Sequence, residues 1–144
     1  VPGVIGIKEA SHDLAQCAGI LKNRPEGFLV ISGNDDLALP FMSLGGDGVI
    51  SVIANAFPGE FSRMVRLCLE NDFDSAREIH LHLHDYILAI YADGSPSGIK
   101  ALLSLMGLVQ NEVRLPLVKI NKSLLNQMSA SWNAKQTTDY SSRL

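Results

Sequence analysis

The fold is decided by one stretch near the start of the chain, which reads Val4-Ile5-Gly6-Ile7-Lys8-Glu9-Ala10-Ser11. Its apolar, partly β-branched residues predict a short strand that is covered on both faces and carries Lys8 at its end. A strand that ends at water commonly finishes on a lysine. A lysine in a dry pocket instead loses its proton more readily, and its neutral amine can form a Schiff base with a carbonyl. The residues alone leave both interpretations open.

The pattern of an apolar run followed by a helix occurs three times. Strands are predicted over residues 4–7, 28–31 and 49–53. The helices that follow them are predicted over residues 13–21, 35–44 and 59–70. Strands and helices that alternate at intervals of about 20 residues indicate βα units and a parallel sheet. No glycine-rich nucleotide-binding motif follows any of these strands, so the sequence does not favour a nucleotide site.

The second half of the chain is predicted to be helical. Helices are expected over residues 74–91, 97–106 and 121–128. The first of them has apolar residues at helical spacing, which form one stripe: Ala76, Ile79, Leu83, Ile87 and Ile90. From residue 129 the chain is polar and aperiodic, and we expect a flexible or loosely docked tail there.

Composition narrows the class of protein. The chain has 144 residues, a net charge of -3 and 47% hydrophobic residues, which fits a globular domain and gives no case for nucleic-acid binding. No apolar run is as long as a membrane span. Cys17 and Cys68 lie in helix-like contexts, and we expect free thiols of a cytoplasmic protein. The chain enters a strand almost at once, which is typical of the middle of a larger protein.

The carboxyl ends of parallel strands meet at one edge of a sheet, which in an α/β barrel holds the active site. Lys8, residues 32–35 and Ser51 are predicted to converge there. Gly33 either permits a positive φ or a close approach of a substrate, or simply turns the chain. Ile50 can act only through its backbone, because its side chain is expected in the core. Asn34, Asp35 and Asp36 either touch a substrate or cap the following helix, and we favour capping.

Two other polar groups have structural interpretations. Glu9 points to the strand face opposite Lys8, so we expect a hydrogen-bonding role behind the sheet rather than an acid–base partnership. His80, His82 and His84 cannot converge on one metal ion, because His82 lies well round the helix from His84. We therefore interpret the three histidines as a solvated helix face, and expect no metal site.

Several motifs resemble, in order and spacing, those of the dihydrodipicolinate synthase (4-hydroxy-tetrahydrodipicolinate synthase) family. They are Gly6–Ser11, Ser32–Asp35, Gly45–Asn55, Ser95–Lys100 and Arg114–Leu117. This family belongs to the pyruvate-dependent class I aldolases, which include N-acetylneuraminate lyase. The residues that follow Lys8 favour the synthase branch over the neuraminate lyase branch.

The resemblance implies an α/β fold, the C-terminal part of a TIM (β/α)8 barrel. Residues 1–72 resemble strands six to eight and their helices, about three βα units. Residues 73–128 resemble the family's C-terminal helical region, and residues 129–144 are the predicted tail. Five strands of the family lie outside this sequence, with the threonine pair, the tyrosine and the arginine that complete its active site. We therefore expect the chain to be inactive on its own.

The resemblance also implies an activity. Lys8 would form the Schiff base with pyruvate, Gly33 would shape the pocket, and the backbone of Ile50 would lie beside the pyruvate carbon. The second substrate would be aspartate-β-semialdehyde, on the route to diaminopimelate and lysine. We expect no cofactor, no nucleic-acid or membrane partner, and a homo-oligomer in the complete enzyme.

Two alternatives remain open. The first is another aldolase of the same superfamily, acting on pyruvate or a 2-keto-3-deoxy sugar. The second is a non-catalytic remnant or an assembly partner, which would bind another subunit through its open sheet edges.

Overall fold

The computed structural model describes residues 2–141, with side chains through residue 135. The chain divides into two compact units, Val1–His84 and Asp85–Leu144, and the division falls within one long helix. The predicted boundary at residue 72 lies where that helix begins.

The first unit alternates strands with helices, as the sequence predicts. Its elements are β1 (Gly6–Glu9), α1 (Leu14–Asn23), β2 (Leu29–Ser32), α2 (Ala38–Ser43), β3 (Gly48–Val49), a 3₁₀ helix (Ile53–Asn55), α3 (Pro58–Leu69) and the first part of α4 (Phe73–Ala92). The strands form one parallel sheet in the order β1-β2-β3. The predicted α/β class and the parallel sheet are therefore confirmed.

Local signals explain where the helices begin. The Asp13 carboxylate caps α1, since its Oδ1 accepts hydrogen bonds from the backbone N–H groups of Ala15 at 2.9 Å and Gln16 at 3.1 Å. Pro58 occupies the first turn of α3, where its missing N–H costs no helical hydrogen bond.

The two faces of the sheet have different surroundings. Alternation along the strands and the register, Lys8 opposite Ile31 and Ile31 opposite Gly48, place these residues on one face, which we call the open face. Lys8 is exposed and Ile31 is half-buried. The other face, which we call the packed face, presents Val30, Glu9 and Ser32, which are buried, and Ile7 on the edge strand, which is 43% exposed.

The strands differ from the prediction in where they begin and in how far their residues are buried. β1 begins at Gly6 rather than Val4, and Val4 and Ile5 are exposed, Ile5 to 73%. The expectation of a strand covered on both faces is therefore wrong for this chain. The reason is that β1 and β3 form the edges of the three-stranded sheet, and the described residues of the open face are exposed or half-buried.

The helix after β2 is shorter than predicted. α2 begins at Ala38, and its N-cap, Leu37, makes no side-chain capping bond. Asn34 and Asp35 therefore do not cap it, contrary to the favoured interpretation. Asp35 is fully buried, and its Oδ2 accepts hydrogen bonds from the N–H groups of Val52 at 3.1 Å and Ile53 at 3.0 Å. The carboxylate thus joins the loops that follow β2 and β3.

The second unit contains the end of α4, α5 (Ser97–Leu105) and α6 (Lys122–Ser141). Helix α5 approaches α4 closely at Gly98, where a Cβ would collide with the Ile90 carbonyl oxygen. Asn121 accepts a hydrogen bond from the Leu124 N–H at 2.9 Å and so caps α6. The apolar stripe predicted for α4 is confirmed, since Ala76, Leu83, Ile87 and Ile90 are buried.

The prediction of an aperiodic tail from residue 129 also differs from the structure. Helix α6 continues to Ser141, so residues 129–141 are helical rather than an aperiodic extension of the chain. The Tyr86 hydroxyl donates to the Ser131 carbonyl at 3.2 Å, and Met128 is buried beside this turn. Residues 142–144 of the predicted tail lie outside the described residues.

Among the described helices, none has both the length and the apolar character that crossing a membrane requires. Cys17 and Cys68 are free and buried, as the sequence predicts. Burial raises the pKa of Cys68, so this thiol stays protonated at neutral pH.

Candidate active site

Lys8 is the third residue of β1 and lies one residue before the strand ends at Glu9. Its Cα is paired with that of Ile31 on β2, at the carboxyl end of both strands. The predicted site residues Gly33 and Ile50 follow β2 and β3 at the same edge of the sheet. The structure therefore brings all three to the edge where α/β barrels carry their active sites.

Gly33 lies directly against the lysine side chain. A Cβ built at Gly33 would be 2.8 Å from Lys8 Cε, 2.8 Å from Ala10 Cβ and 3.2 Å from the Glu9 carbonyl oxygen. Gly33 does not adopt a positive φ. The close neighbour of Gly33 is thus the lysine side chain, and the close approach of a substrate stays a prediction. The Gly33 N–H also donates to the Glu9 carbonyl at 2.6 Å, which fixes this approach.

Ile50 is held by its backbone rather than by its side chain. Its N–H donates to the Ser32 carbonyl at 2.9 Å, one residue beyond the end of β3. The side chain is 53% exposed, so the expectation that it lies in the core is wrong. Register places Ile50 on the open face with Gly33, whereas the next isoleucine, Ile53, is fully buried.

The predicted convergence holds for part of the set only. Ser32 and Asp35 are buried on the side away from Lys8, where the Ser32 hydroxyl accepts from the Asn34 N–H at 3.1 Å. The Ser51 hydroxyl accepts from the Ala54 N–H at 2.9 Å and caps the 3₁₀ helix. These residues therefore shape the loops, and Lys8 and Gly33 form the contact at the edge.

Lys8 does not lie in a dry pocket in this chain. Its side chain is exposed, because the open face of the sheet is uncovered. A closed barrel turns this face inward and fills it with side chains from all its strands. The dry pocket that the sequence left open for Lys8 is therefore not formed by the described residues of this chain.

The sequence did not indicate how many hydrogen bonds are made by Glu9, the residue that follows Lys8. Glu9 is 5% exposed and accepts hydrogen bonds from the Ser11 N–H, from Gln16 Nε2 and from the Cys17 thiol. The predicted hydrogen-bonding role behind the sheet is confirmed. Its donors lie two, seven and eight residues away, a set that strand alternation alone does not reveal.

The interpretation of the α4 histidines as a solvated helix face is correct only in part. His80 is only 7% exposed, so it does not belong to a solvated face, whereas His82 is exposed. Burial lowers the pKa of His80, and the neighbouring His84 lowers it further. The two rings are 6.3 Å apart between centroids. Among the residues that the structure describes, no group of three or more His, Cys, Asp or Glu side chains is placed to hold a metal ion.

Comparisons with known proteins agree with the resemblance. The sequence model of the Dihydrodipicolinate synthetase family matches residues 1–135. A 4-hydroxy-tetrahydrodipicolinate synthase of Parabacteroides distasonis is 53% identical over 115 residues, which are 80% of this chain and 39% of that protein. One of Phocaeicola vulgatus is 48% identical over 130 residues, 90% of this chain and 44% of that protein.

Solved structures lead to the same group. The crystal structure of dihydrodipicolinate synthase from Aquifex aeolicus superposes with a TM-score of 0.88 and 34% identity, over 92% of this chain and 45% of that one. The chain thus spans less than half the length of these relatives, and it corresponds to the C-terminal part of their TIM barrel.

Proposed function

The chain belongs to the Dihydrodipicolinate synthetase family, and we propose that it carries the Schiff-base lysine of a 4-hydroxy-tetrahydrodipicolinate synthase. The complete enzyme would condense pyruvate with aspartate-β-semialdehyde in the diaminopimelate route to lysine. The observation that carries the proposal is the contact between Lys8 and Gly33 at the carboxyl edge of a parallel sheet, where the lysine side chain occupies the space that any Cβ at residue 33 would need.

The proposed chemistry assigns one bond-forming step to this chain. The neutral Lys8 amine attacks the C2 carbonyl carbon of pyruvate, and the carbonyl oxygen leaves as water. The resulting iminium withdraws electrons, so that a proton can leave C3 and an enamine forms. The enamine carbon then bonds to the aldehyde carbon of the second substrate, the aldehyde oxygen takes up a proton, and the iminium re-forms. Attack of the second substrate's own amino group on the iminium carbon closes a ring and releases the Lys8 amine. Gly33 would leave room for this intermediate, and the backbone of Ile50 would line the pocket beside the pyruvate carbon.

The exposed Lys8 supports the further proposal that the chain on its own turns over slowly or not at all. Strands over the open face would supply both the dry surroundings and the groups that bind the pyruvate carboxylate. In the complete enzyme we propose a homo-oligomer in the cytoplasm, a location that the two free, buried thiols support.

The test uses a completed barrel, in which the part of the Parabacteroides distasonis relative that precedes its match is joined to this chain. We expect the completed barrel to consume pyruvate and aspartate-β-semialdehyde together, and a Lys8→Arg variant to consume neither. Lys22→Arg, an exposed lysine on α1, is the matched control and should keep the activity.

A panel of aldehydes in the same assay separates the proposal from its neighbours. Turnover with another aldehyde but not with the semialdehyde would support a different aldolase of the superfamily. Activity that persists in the Lys8→Arg variant would overturn the assignment of the lysine.

A further inference from the structure

Glu9 is a buried carboxylate that the proposed chemistry does not use. It follows Lys8 on β1, so its side chain leaves the opposite face of the sheet, toward α1. An ionised carboxylate is costly to bury unless hydrogen bonds replace its hydration. Glu9 has such bonds on both oxygens, and every side-chain donor comes from the segment that directly follows β1.

The hydrogen-bond donors to Glu9 come from both the loop after β1 and the start of α1. Glu9 Oε1 accepts from the Ser11 N–H at 2.8 Å and from Gln16 Nε2 at 3.2 Å, and Oε2 accepts from Cys17 Sγ at 2.9 Å. Ser11 lies in the loop, whereas Gln16 and Cys17 lie in the first turns of α1. The carboxylate therefore ties the end of the strand, the loop and the helix into one unit.

The charge states of this cluster are compatible with such a tie. Burial alone would raise the pKa of Glu9, but the hydrogen bonds from Cys17, Ser11 and Gln16 outweigh it and leave the pKa lowered. Burial, the hydrogen bond to Glu9 and the nearby negative charges raise the pKa of Cys17 to about 11. At neutral pH the carboxylate is thus ionised and the thiol keeps the proton that it donates.

The backbone of Glu9 is held by a separate hydrogen bond, from the loop that follows β2. Its carbonyl accepts the Gly33 N–H at 2.6 Å, and Gly33 in turn contacts the Lys8 side chain. The peptide that follows Lys8 is therefore fixed twice, by the side chain of Glu9 to α1 and by its carbonyl to the loop after β2. A shift of Glu9 would move both the lysine and the glycine against which it packs.

We propose that Glu9 is a positioning residue, whose carboxylate, anchored on Cys17, Gln16 and Ser11, holds Lys8 in the orientation needed to attack pyruvate. This inference rests on the proposed role of Lys8. It assigns Cys17 a part as well, that of a hydrogen-bond donor to the carboxylate rather than a nucleophile or a redox group.

The test measures the rate and the extent of imine formation in the completed barrel. Borohydride reduces the iminium of pyruvate to a stable amine, which peptide mapping locates. For Glu9→Gln we expect the single-turnover rate to fall about 100-fold, since a displacement of about 1 Å has effects of this size. The final extent of labelling should stay that of the unsubstituted protein. The amide of Gln keeps one acceptor oxygen, so its NH2 group must face either the Cys17 thiol or the Ser11 and Gln16 donors, and the negative charge is lost.

Circular dichroism separates positioning from stability. If Glu9 only stabilised the fold, the Glu9→Gln protein would show an unfolded fraction, and its labelling would fall only in proportion to that fraction. Cys17→Ala, a smaller change, should slow labelling about 10-fold, and Cys17→Ser, which keeps a donor, should restore most of the rate. Glu26→Gln, an exposed carboxyl of the same unit, is the control and should change neither quantity.

Each outcome has a distinct meaning. Slow labelling of full extent in Glu9→Gln, with recovery in Cys17→Ser, supports the inference. Labelling at an unchanged rate in Glu9→Gln and Cys17→Ala overturns it and leaves the role of Lys8 intact. If the unsubstituted barrel gives no adduct on Lys8, the proposed function and this inference both fail.

Discussion

The open and packed faces of the three-stranded sheet consist of alternate residues of the same strands, yet their environments are opposite. On the packed face Val30 is fully buried and Glu9 is nearly so, and both contribute to the fold of the first unit. On the open face Lys8 and Ile50 are exposed, with Gly33 between the two strands that carry them. The packed face is therefore largely buried within this chain, whereas the open face leaves Lys8 and Ile50 exposed.

The difference separates stability from chemistry along each strand. Substitutions on the packed face should mainly change the free energy of unfolding. Glu9, whose carboxylate we propose to position Lys8, is the exception. Those on the open face should mainly change the reaction of the complete barrel. Four predictions use this separation.

The largest effect is expected at Lys8. In the completed barrel, Lys8→Arg should lower turnover at least about 10⁴-fold, because the guanidinium stays charged and cannot form the imine. In the chain alone the same change should alter the free energy of unfolding by less than about 0.5 kcal/mol, because the side chain is exposed. Steady-state assays and urea unfolding measure the two effects. A large loss of stability would break the separation between the faces.

Ile53 and Ile50 offer a matched pair for stability. Ile53 is fully buried, whereas Ile50, three residues earlier, is 53% exposed on the open face. In the chain alone Ile53→Ala should cost about 2–5 kcal/mol of unfolding free energy, because it leaves a cavity. Ile50→Ala should cost about 0.5 kcal/mol or less. Equal losses, measured by urea unfolding of both variants, would contradict the burial of Ile53 and the exposure of Ile50.

Gly33→Ala tests the contact between the two site residues. The added Cβ would lie 2.8 Å from both Lys8 Cε and Ala10 Cβ, so the lysine must move. We expect imine formation in the completed barrel to slow about 100-fold, as measured by single-turnover trapping. Gly19→Ala on α1 is the control, because its Cβ would meet nothing within 4 Å. It should leave the rate unchanged and add about 0.5–1 kcal/mol of stability. An unchanged rate for Gly33→Ala would show that the contact is not needed.

The smallest effect concerns acid stability of the packed face. The pKa of Glu9 is lowered from its ordinary value of 4.5, since its hydrogen bonds outweigh burial. The folded state therefore binds this proton less readily than the unfolded chain. The resulting stabilisation is present above about pH 4.5 and is lost as the pH falls through the folded value. Urea midpoints measured from pH 7 down to pH 3 should fall less steeply in Glu9→Gln than in the unsubstituted chain. Parallel slopes would mean that Glu9 titrates alike in both states.

The sequence predicted the order of strands and helices. It failed where the burial of a strand depends on which layers pack against the sheet. The apolar run at residues 4–7 has the composition of a buried strand, but pairing begins only at Gly6 and Ile5 is exposed. Composition reports which residues suit a core, and it does not report which layers are present to make one.

Long-range hydrogen bonds account for most of the other differences. Asp35 has the position of a helix cap, but its carboxylate binds the N–H groups of Val52 and Ile53, 17 and 18 residues later. Similarly, the short distance between Gly33 and the Lys8 side chain depends on the register of β1 against β2. Local preference cannot reveal such contacts, because the groups meet only after the sheet has formed.

The central claim is that Lys8 belongs to a Schiff-base site that becomes reactive only when the open face is covered. Borohydride trapping with pyruvate, read by intact mass and peptide mapping, tests it on two samples. These are the 144-residue chain, shown to be folded by circular dichroism, and the completed barrel. The account predicts an adduct on Lys8 in the completed barrel and little or none in the chain alone. Equal labelling of Lys8 in both samples would contradict the need for cover, and labelling of a different lysine, or of none, would contradict the site itself.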